Sequence, residues 1–513
     1  MHKNFYITTP IYYPSAKPHM GHAYSSIIAD FFARFKKIDG FDVNFLTGTD
    51  EHGLKIQRSA EKAGKEPQIF CDQISQTFRD LSDTLNLSNT DFIRTTETRH
   101  KKTVQHLWSE LEKNDDIYLS KYSGWYSVSD EAFYNEDEIE EVDGKKIAKS
   151  SKSPVEWIEE ESFFFRLSKW EKPLLEYYQA NPDFISPESR KNEVISFVKS
   201  GLKDLSVSRK SFSWGIPVPN NKDHVIYVWL DALTNYISAL NYPDTNNELF
   251  KNFWPASIHL IGKDILRFHA VYWPAFLLAA KIELPLRVYG HGWILSGDEK
   301  MSKSKGNILD PIEIINEYGL DPLRYYLIKE VSFGNDGNIS QERLEDCINS
   351  DLANNFGNLC QRVTAFAIKN CNSEVPKDIK FEKDDLIILD RYKNNLSNIR
   401  DKIDNQDINF YIDFIINSLF EANKYFNDQE PWKKKGDTIR LNTIVYTTLE
   451  IVRKISYLLY PIIPQSSLNA LKIFNLNENE INLSSVENNE FLSKGSKINK
   501  IDILFKKIDK NND

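Results

Sequence analysis

The sequence predicts an α/β protein: an open parallel sheet interrupted by an inserted module and followed by a C-terminal α-helical bundle. Three observations carry this. Short apolar runs at 4–9, 43–47, 258–262 and 286–289 have the length of buried strands, and stretches of helical spacing separate them. Such alternation implies a parallel sheet with right-handed crossovers. Between about 115 and 225 the rhythm gives way to Tyr/Trp/Ser runs and acidic tracts. From 310 onward the spacing is helical.

In chain order, strand 4–9 runs into a helix from about Met20, with helical spacing over 23–37. Strand 43–47 follows, then helices over 53–62 and 68–85. After the inserted stretch, strand 258–262 leads into a helix over 264–281, and strand 286–289 leads into a lysine-rich loop. Asp310-Pro311 and Asp321-Pro322 each read as an N-cap with proline at the first helical position. The last segment, 378–513, is rich in Lys, Asn, Ile and Leu at helical spacing and reads as a bundle. The stretch beyond Asn477 is expected to be its least ordered part.

Bulk properties narrow the function. A chain of 513 residues with 41% apolar and 13% aromatic content has material for about two to four domains. Its net charge of −10 excludes a bulk-electrostatic nucleic-acid binder; any RNA would have to be met by local basic patches. Cys71, Cys347, Cys360 and Cys371 are widely spaced, with no C-x-x-C pair, which argues against a disulfide framework and for a reducing compartment. No apolar stretch has the length of a membrane span, and the N-terminus shows no signal or transit pattern. Cytoplasm is the expected location.

Two short motifs carry the chemistry. His19-Met20-Gly21-His22 lies where the first strand meets the first helix, the end of an open sheet at which ligands bind. Gly21 allows close approach of a nucleotide, and the helix N-terminus offers N–H groups and a positive dipole to phosphate. Far downstream, Lys300-Met301-Ser302-Lys303-Ser304 sets lysines on a serine-rich loop ending at Gly306, suited to follow phosphate charge as it departs. Alone, the first motif also fits a hydrogen-bonded core histidine and the second a solvated basic loop; together, in this order, they are far more specific.

With Thr9-Pro10-Ile11-Tyr12-Tyr13, Thr47-Gly48-Thr49-Asp50-Glu51-His52-Gly53, Tyr227-Val228-Trp229-Leu230-Asp231-Ala232-Leu233 and Ile261-Gly262-Lys263-Asp264-Ile265-Leu266-Arg267-Phe268-His269, these motifs recur in the order and spacing of one family. The chain resembles the methionyl-tRNA synthetases, members of the class I aminoacyl-tRNA synthetases, over essentially its whole length. The resemblance implies a Rossmann-like catalytic domain in two halves, 1–114 and 226–309. Around these it implies a connective module over 115–225, a stem-contact region over 310–377 and an anticodon-binding bundle over 378–513. It implies activation of L-methionine by ATP to methionyl-adenylate, then transfer to the 3′-terminal adenosine of initiator and elongator tRNA(Met). Positioning and charge neutralisation carry such phosphoryl chemistry. His19 and His22 would donate to phosphate oxygens, and Lys300 and Lys303 would neutralise the departing pyrophosphate. Mg²⁺ would travel with the ATP. Gly21, Gly262, Asp264 and His291 would wall the nucleotide.

Asp50 follows a strand end, where its carboxylate suits the methionine ammonium; as a helix N-cap it would have a purely local role. By resemblance Pro10, Ile11, Tyr13, Trp229, Ala232, Tyr236, Ile265, His269 and Trp273 line the methionine site. Thioether–aromatic contacts there are worth roughly 0.3–1.5 kcal/mol each. Ile265, His269 and Trp273 recur every four residues, on one face of a helix, which is also the pattern of a plain core face. Arg209 matches an arginine that closes over the activated substrate. Trp432, in Glu430-Pro431-Trp432, resembles the anticodon contact, where an indole stacks on a splayed base for roughly 1–3 kcal/mol; Asn355 and Arg362 are candidates for the same loop. Lys433-Lys434-Lys435 could add phosphate contacts.

The chain departs from many relatives in one respect. Gly124-Trp125-Tyr126 precedes Ser127-Val128-Ser129-Asp130, where cysteine pairs would hold a zinc knuckle, and residues 107–223 contain neither Cys nor His. Tetrahedral Cys/His zinc chemistry is impossible there. A zinc-free knuckle packed on Trp125, Tyr126, Phe133, Tyr134 and Trp157 is expected, with no structural metal. A monomer, without membrane or DNA partners, is also expected. Synthetases for leucine, isoleucine and valine carry a large editing insertion that this length does not accommodate, and cysteinyl enzymes use cysteine zinc ligands missing here. A non-catalytic RNA-binding paralogue would have lost the phosphate-handling residues, and a small-molecule adenylyltransferase would not need the bundle carrying Trp432.

Overall fold

The computed structural model describes residues 3–508 apart from 15, 16, 131, 143, 297, 298 and 301–309; at 122, 132, 133, 160, 296, 299 and 300 only the backbone is described. The chain divides into two compact units, one of Asn4–Ala29 and Val43–His291, the other of Met1–Lys3, Asp30–Asp42 and Gly292–Asp513.

A six-stranded sheet organises the first unit, in the order Asp91–Arg94, Phe41–Thr49, Lys3–Thr8, Ile258–Gly262, Val288–His291, Ile185–Ser186. Pairing is parallel where Ile7 faces Ile258, Thr47 faces Phe92, Gly262 faces His291 and Val288 faces Ile185. This is the Rossmann-like sheet that the alternating pattern predicted. Parallel strands covered on both faces read as continuous apolar runs, as Ile258–Gly262 does. Two strands carry no such signal: Asp91–Arg94 buries one apolar pair between polar ends, and Ile185–Ser186 is two residues long. The second of these lies inside 115–225, so that stretch supplies an edge of the main sheet.

Helix Met20–Ile38 follows the first strand. Its Ala23, Ile27, Phe31 and Phe35 recur every four residues and are fully buried. The helix expected over 264–281 is broken instead into a 3₁₀ turn at Lys263–Ile265, a π-helical turn at Phe268–Tyr272 and a regular helix at Trp273–Ala279. Pro274 has no N–H to donate to residue 270, and its ring crowds that carbonyl; the preceding turn widens there.

Within 115–225, strands Leu205–Ser206, Glu156–Phe165, Ile117–Ser127 and Ala132–Tyr134 form an antiparallel sheet, and Ile139–Val142 pairs with Lys145–Ala148 in a hairpin. Trp125 sits opposite Trp157 with the rings edge-on at 5.2 Å, and the Lys146 ammonium lies 4.1 Å from the Trp125 ring centre. Tyr126 is buried; the Phe133 side chain lies outside the described residues. The Asp130 carboxylate collects hydroxyls from Tyr134, Ser151 and Ser153, a polar hub that the sequence did not announce. Among the described residues, no group of three or more His, Cys, Asp or Glu is placed to hold a metal ion.

The second unit is helical. Asp310 caps helix Pro311–Tyr318 by accepting from the Ile312 N–H at 2.8 Å, as expected. Asp321-Pro322 differs: Gly319, at φ 92°, caps helix Leu320–Glu330, and the buried Asp321 carboxylate instead accepts from the Ser466 N–H. Helix Thr438–Leu459 is buried nearly throughout, including Glu450, Arg453 and Lys454. Glu450 pairs with Arg453 at 2.8 Å and accepts from the Leu492 N–H. Arg453 donates to the carbonyls of Ser485 and Asn488, and Lys454 donates to Asn489 Oδ1 at 2.6 Å. Residue 508 bonds Asn349 through both its N–H and its carbonyl. Between Asn477 and residue 508 the stretch expected to be the least ordered is irregular but bonded, because buried charges take its backbone and the Asn489 side chain as partners. Among the described residues, no helix is long and apolar enough to cross a membrane.

Candidate active site

His19 and His22 sit at the start of helix Met20–Ile38, at the carboxyl end of the first strand, with ring centres 3.8 Å apart. Their tautomers follow from the backbone. His19 Nδ1 accepts from the Gly21 N–H at 3.1 Å, and His22 Nδ1 accepts from the His19 N–H at 3.1 Å. A nitrogen that accepts carries no proton, so in each neutral ring the proton sits on Nε2. Burial, and then the neighbouring His19, hold the His22 imidazole well below its usual range. Tyr12 and Phe78 meet its ring edge-on at 4.8 and 5.2 Å. Gly21 makes the arrangement possible: a Cβ there would lie 3.0 Å from His19 Cε1.

Asp50 is buried, and its N–H donates to the Tyr12 carbonyl at 2.9 Å. The capping alternative fails, because helix Leu54–Lys62 is capped by Gly53, at φ 109°, with no side-chain bond. Tyr13 is half-buried and its hydroxyl donates to the His52 carbonyl at 3.1 Å.

The proposed methionine wall gathers in one apolar cluster. Buried Tyr236 and Trp273 pack with half-buried Ile11, Tyr13, Trp229 and Ile265. Ala232 is buried and Pro10 half-buried. The Tyr236 hydroxyl lies 2.7 Å from His269 Nε2, and His269 Nδ1 lies 3.0 Å from the Ile265 carbonyl. A carbonyl only accepts, so His269 Nδ1 carries the proton and Tyr236 donates to Nε2. Burial pushes the His269 imidazole down to about 4. The Tyr236 ring stacks on His259 at 4.0 Å and faces Trp273 at 6.2 Å. Trp229 lies flat on Phe268, centroids 3.7 Å apart, and meets His269 edge-on at 6.2 Å.

Among the residues expected to wall the nucleotide, Gly262 ends its strand opposite His291, and a Cβ on Gly262 would lie 2.6 Å from Asp264 Oδ1. His291 Nε2 is 2.8 Å from the Ser25 hydroxyl, which ties it to the helix bearing the two histidines. Lys303 lies outside the described residues, as does the Lys300 side chain; the Lys300 backbone forms strand Glu299–Lys300 against Ile294–Ser296. Arg209 is buried, folded back onto Ser206 and Ser208 at 2.9 and 2.6 Å, with Tyr227 and Tyr126 ring centres 4.6 and 5.4 Å from its guanidinium carbon.

In the second unit Trp432 is 41% exposed and meets Phe426 edge-on at 6.1 Å. Arg362 lies 5.5 Å from the same Phe426 ring and bonds Asn427 at 2.6 Å, while Asn355 accepts from Asn423 one helical turn away. Three residues of the first unit's site received no role from the sequence: Ser25, and Phe268 and His52 although they stand inside quoted motifs. Their partners lie 266, 39 and 179 positions away, so no local pattern tells what they contact.

Strand ends that bring a paired-histidine helix start, an acidic loop and an aromatic pocket together define a nucleotide-dependent activating domain of the Rossmann type. Comparison with known proteins specifies it further. Residues 5–364 match the model of tRNA synthetases class I (M), and 375–513 match the anticodon binding domain of methionyl tRNA ligase. The chain is 50% identical to the methionine–tRNA ligase of Brucella suis over 92% of each chain. To that of Rickettsia conorii it is 49% identical over 99% of this chain and all of the other. Among solved structures, Mycobacterium tuberculosis methionyl-tRNA synthetase in complex with methionyl-adenylate superposes with a TM-score of 0.95 at 45% identity, over 98% of this chain and 99% of that one. The chain belongs to the methionyl family of the class I tRNA synthetases.

Proposed function

We propose that this chain activates L-methionine with ATP and transfers the methionyl group to the 3′-terminal adenosine of methionine tRNA. The observation that carries this is the meeting, at the carboxyl ends of one parallel sheet, of the His19/His22 helix start with buried Asp50 and the Tyr236–His269 pocket. In the first step the methionine carboxylate attacks the α-phosphate and pyrophosphate leaves. In the second, a ribose hydroxyl of the terminal adenosine attacks the methionyl carbonyl and AMP leaves.

Each group has a part that its chemistry supports. Asp50 pairs with the ammonium. The thioether lies among Pro10, Ile11, Tyr13, Trp229, Ala232, Tyr236, Ile265, His269 and Trp273. His19 and His22 donate through Nε2 to phosphate oxygens above Gly21. Gly262, Asp264 and His291 receive the nucleoside, and Lys300 and Lys303 neutralise pyrophosphate as it forms. Mg²⁺ arrives with ATP and offsets phosphate charge. Arg209 closes over the activated substrate, and Trp432, Asn355 and Arg362 read the anticodon loop. The knuckle dispenses with zinc. The five segments 1–114, 115–225, 226–309, 310–377 and 378–513 divide these tasks, in a cytoplasmic monomer that needs neither membrane nor DNA.

Amino-acid-dependent ATP–pyrophosphate exchange across all twenty amino acids, without tRNA, tests the reading. Exchange with methionine alone is expected. No exchange from folded protein would overturn it in favour of a non-catalytic paralogue.

A further inference from the structure

The buried Asp231 carboxylate accepts two imidazole N–H bonds. His52 Nδ1 lies 2.7 Å from one oxygen and His100 Nε2 lies 2.7 Å from the other. All three side chains are buried, and His100 Nδ1 pairs further with the Ser238 hydroxyl at 2.9 Å. Burial alone would raise the Asp231 carboxyl; the two imidazoles outweigh it and hold the group below the usual carboxylate range.

Three chain segments meet at this carboxylate. His52 stands two residues after Asp50, and its carbonyl holds the Tyr13 hydroxyl. Asp231 lies on helix Val228–Leu233 between Trp229 and Ala232. His100 belongs to helix Thr98–Lys113. The rest of the loop is tied down as well. The Glu51 carboxylate receives Arg94 Nε at 2.6 Å and the hydroxyls of Thr49 and Thr96, while its carbonyl receives Trp214 Nε1. The Gly53 N–H donates to the Trp214 carbonyl at 3.0 Å. The His52–Asp231 bond joins this clamped loop to the helix that carries Trp229.

We propose that His52 and Asp231 are positioning residues for methionine: their hydrogen bond sets the distance between the Asp50 carboxylate and the Trp229 wall, with His100 holding Asp231 from behind. This rests on the methionine-site reading above. Methionine must satisfy an ammonium partner and a thioether pocket at a fixed separation, so a shift of about 1 Å between loop and helix weakens both and can cost two orders of magnitude. His52, Asp231 and His100 make no bond to the nucleotide groups at 19–22 and 262–264, so methionine is expected to feel the change more than ATP.

The test compares Michaelis constants in methionine-dependent ATP–pyrophosphate exchange, with melting temperatures measured in parallel. His52→Ala is expected to raise KM for methionine about tenfold or more while KM for ATP stays within about twofold. His52→Asn keeps an N–H donor near the Nδ1 position and should restore most of the loss. Should the alanine protein fail to fold, His52→Gln, which fills the space but displaces the donor, serves for the same comparison. A folded variant with unchanged methionine KM overturns the proposal, and so does an equal rise in both constants, the mark of general loosening. Wild-type protein without methionine-dependent exchange would overturn the methionine-site reading itself, and the proposal with it.

Discussion

The Tyr236 hydroxyl donates to His269 Nε2 across 2.7 Å, inside a pocket where burial keeps the imidazole neutral. Because Nδ1 is engaged with the Ile265 carbonyl, this bond has one possible direction. Tyr236→Phe leaves a buried acceptor unpaired, at a cost of about 1–3 kcal/mol. Lower thermal stability and a raised methionine KM are expected, with ATP KM little changed; exchange kinetics check it.

The same pair fixes a pH dependence. The folded value of His269, about 4, lies below its ordinary 6.5, so the native pocket holds it neutral and the unfolded chain binds the extra proton first. Stability from this group is complete above the unfolded value, diminishes as pH falls below it, and is lost through about 4. Methionine affinity, which depends on the native protonation state, should hold level down to about pH 5 and fall as pH passes through about 4. Tryptophan fluorescence titrations would show it, and His269→Asn should remove the step.

Gly21→Ala would place a methyl 3.0 Å from His19 Cε1 and so displace the imidazole whose Nδ1 receives the Gly21 N–H. Activation should fall about a hundredfold, the effect of an ångström-scale misplacement. Methionine binding measured without ATP should be nearly unchanged. Equal loss of both would mean that the helix start, not the ring, had been damaged.

Trp432 is exposed enough that truncation costs the fold little. Trp432→Ala should therefore spare ATP–pyrophosphate exchange while weakening tRNA charging by about 1–3 kcal/mol, the worth of one stacked base. A matching drop in both assays would make the indole a structural contact of Phe426.

Lys454 is buried in helix Thr438–Leu459, and burial, followed by Arg453, draws its ammonium down to about 7. The unfolded chain, with an ordinary lysine near 10.4, binds more protons between the two values, so stability should climb with pH across about 7 to 10. Lys454→Met should flatten that slope in melting curves taken over the range. Parallel curves would assign the slope to another group.

What was legible in the sequence was local. Continuous apolar runs marked Ile258–Gly262 and its neighbours, and Asp310-Pro311 marked a capped helix. Glycine beside histidine marked the helix start at Gly21. The rest depended on distance along the chain. A two-residue strand such as Ile185–Ser186 has no period to detect. The π-helical turn at Phe268–Tyr272 keeps the composition of a regular helix. Asp321 looked like a cap because its true partner, Ser466, is 145 positions away. Distance likewise concealed the partner of His52, a carboxylate 179 residues on.

Helix Thr438–Leu459 has a temporal consequence during protein synthesis. Glu450, Arg453 and Lys454 are fully buried, yet their partners at 485, 488, 489 and 492 are translated 32 to 42 positions later. While a ribosome still holds those later residues, the Glu450–Arg453 pair and Lys454 lack part of the hydrogen bonding that offsets their burial. The bonds that satisfy this helix are therefore complete only after residue 492 has left the ribosome.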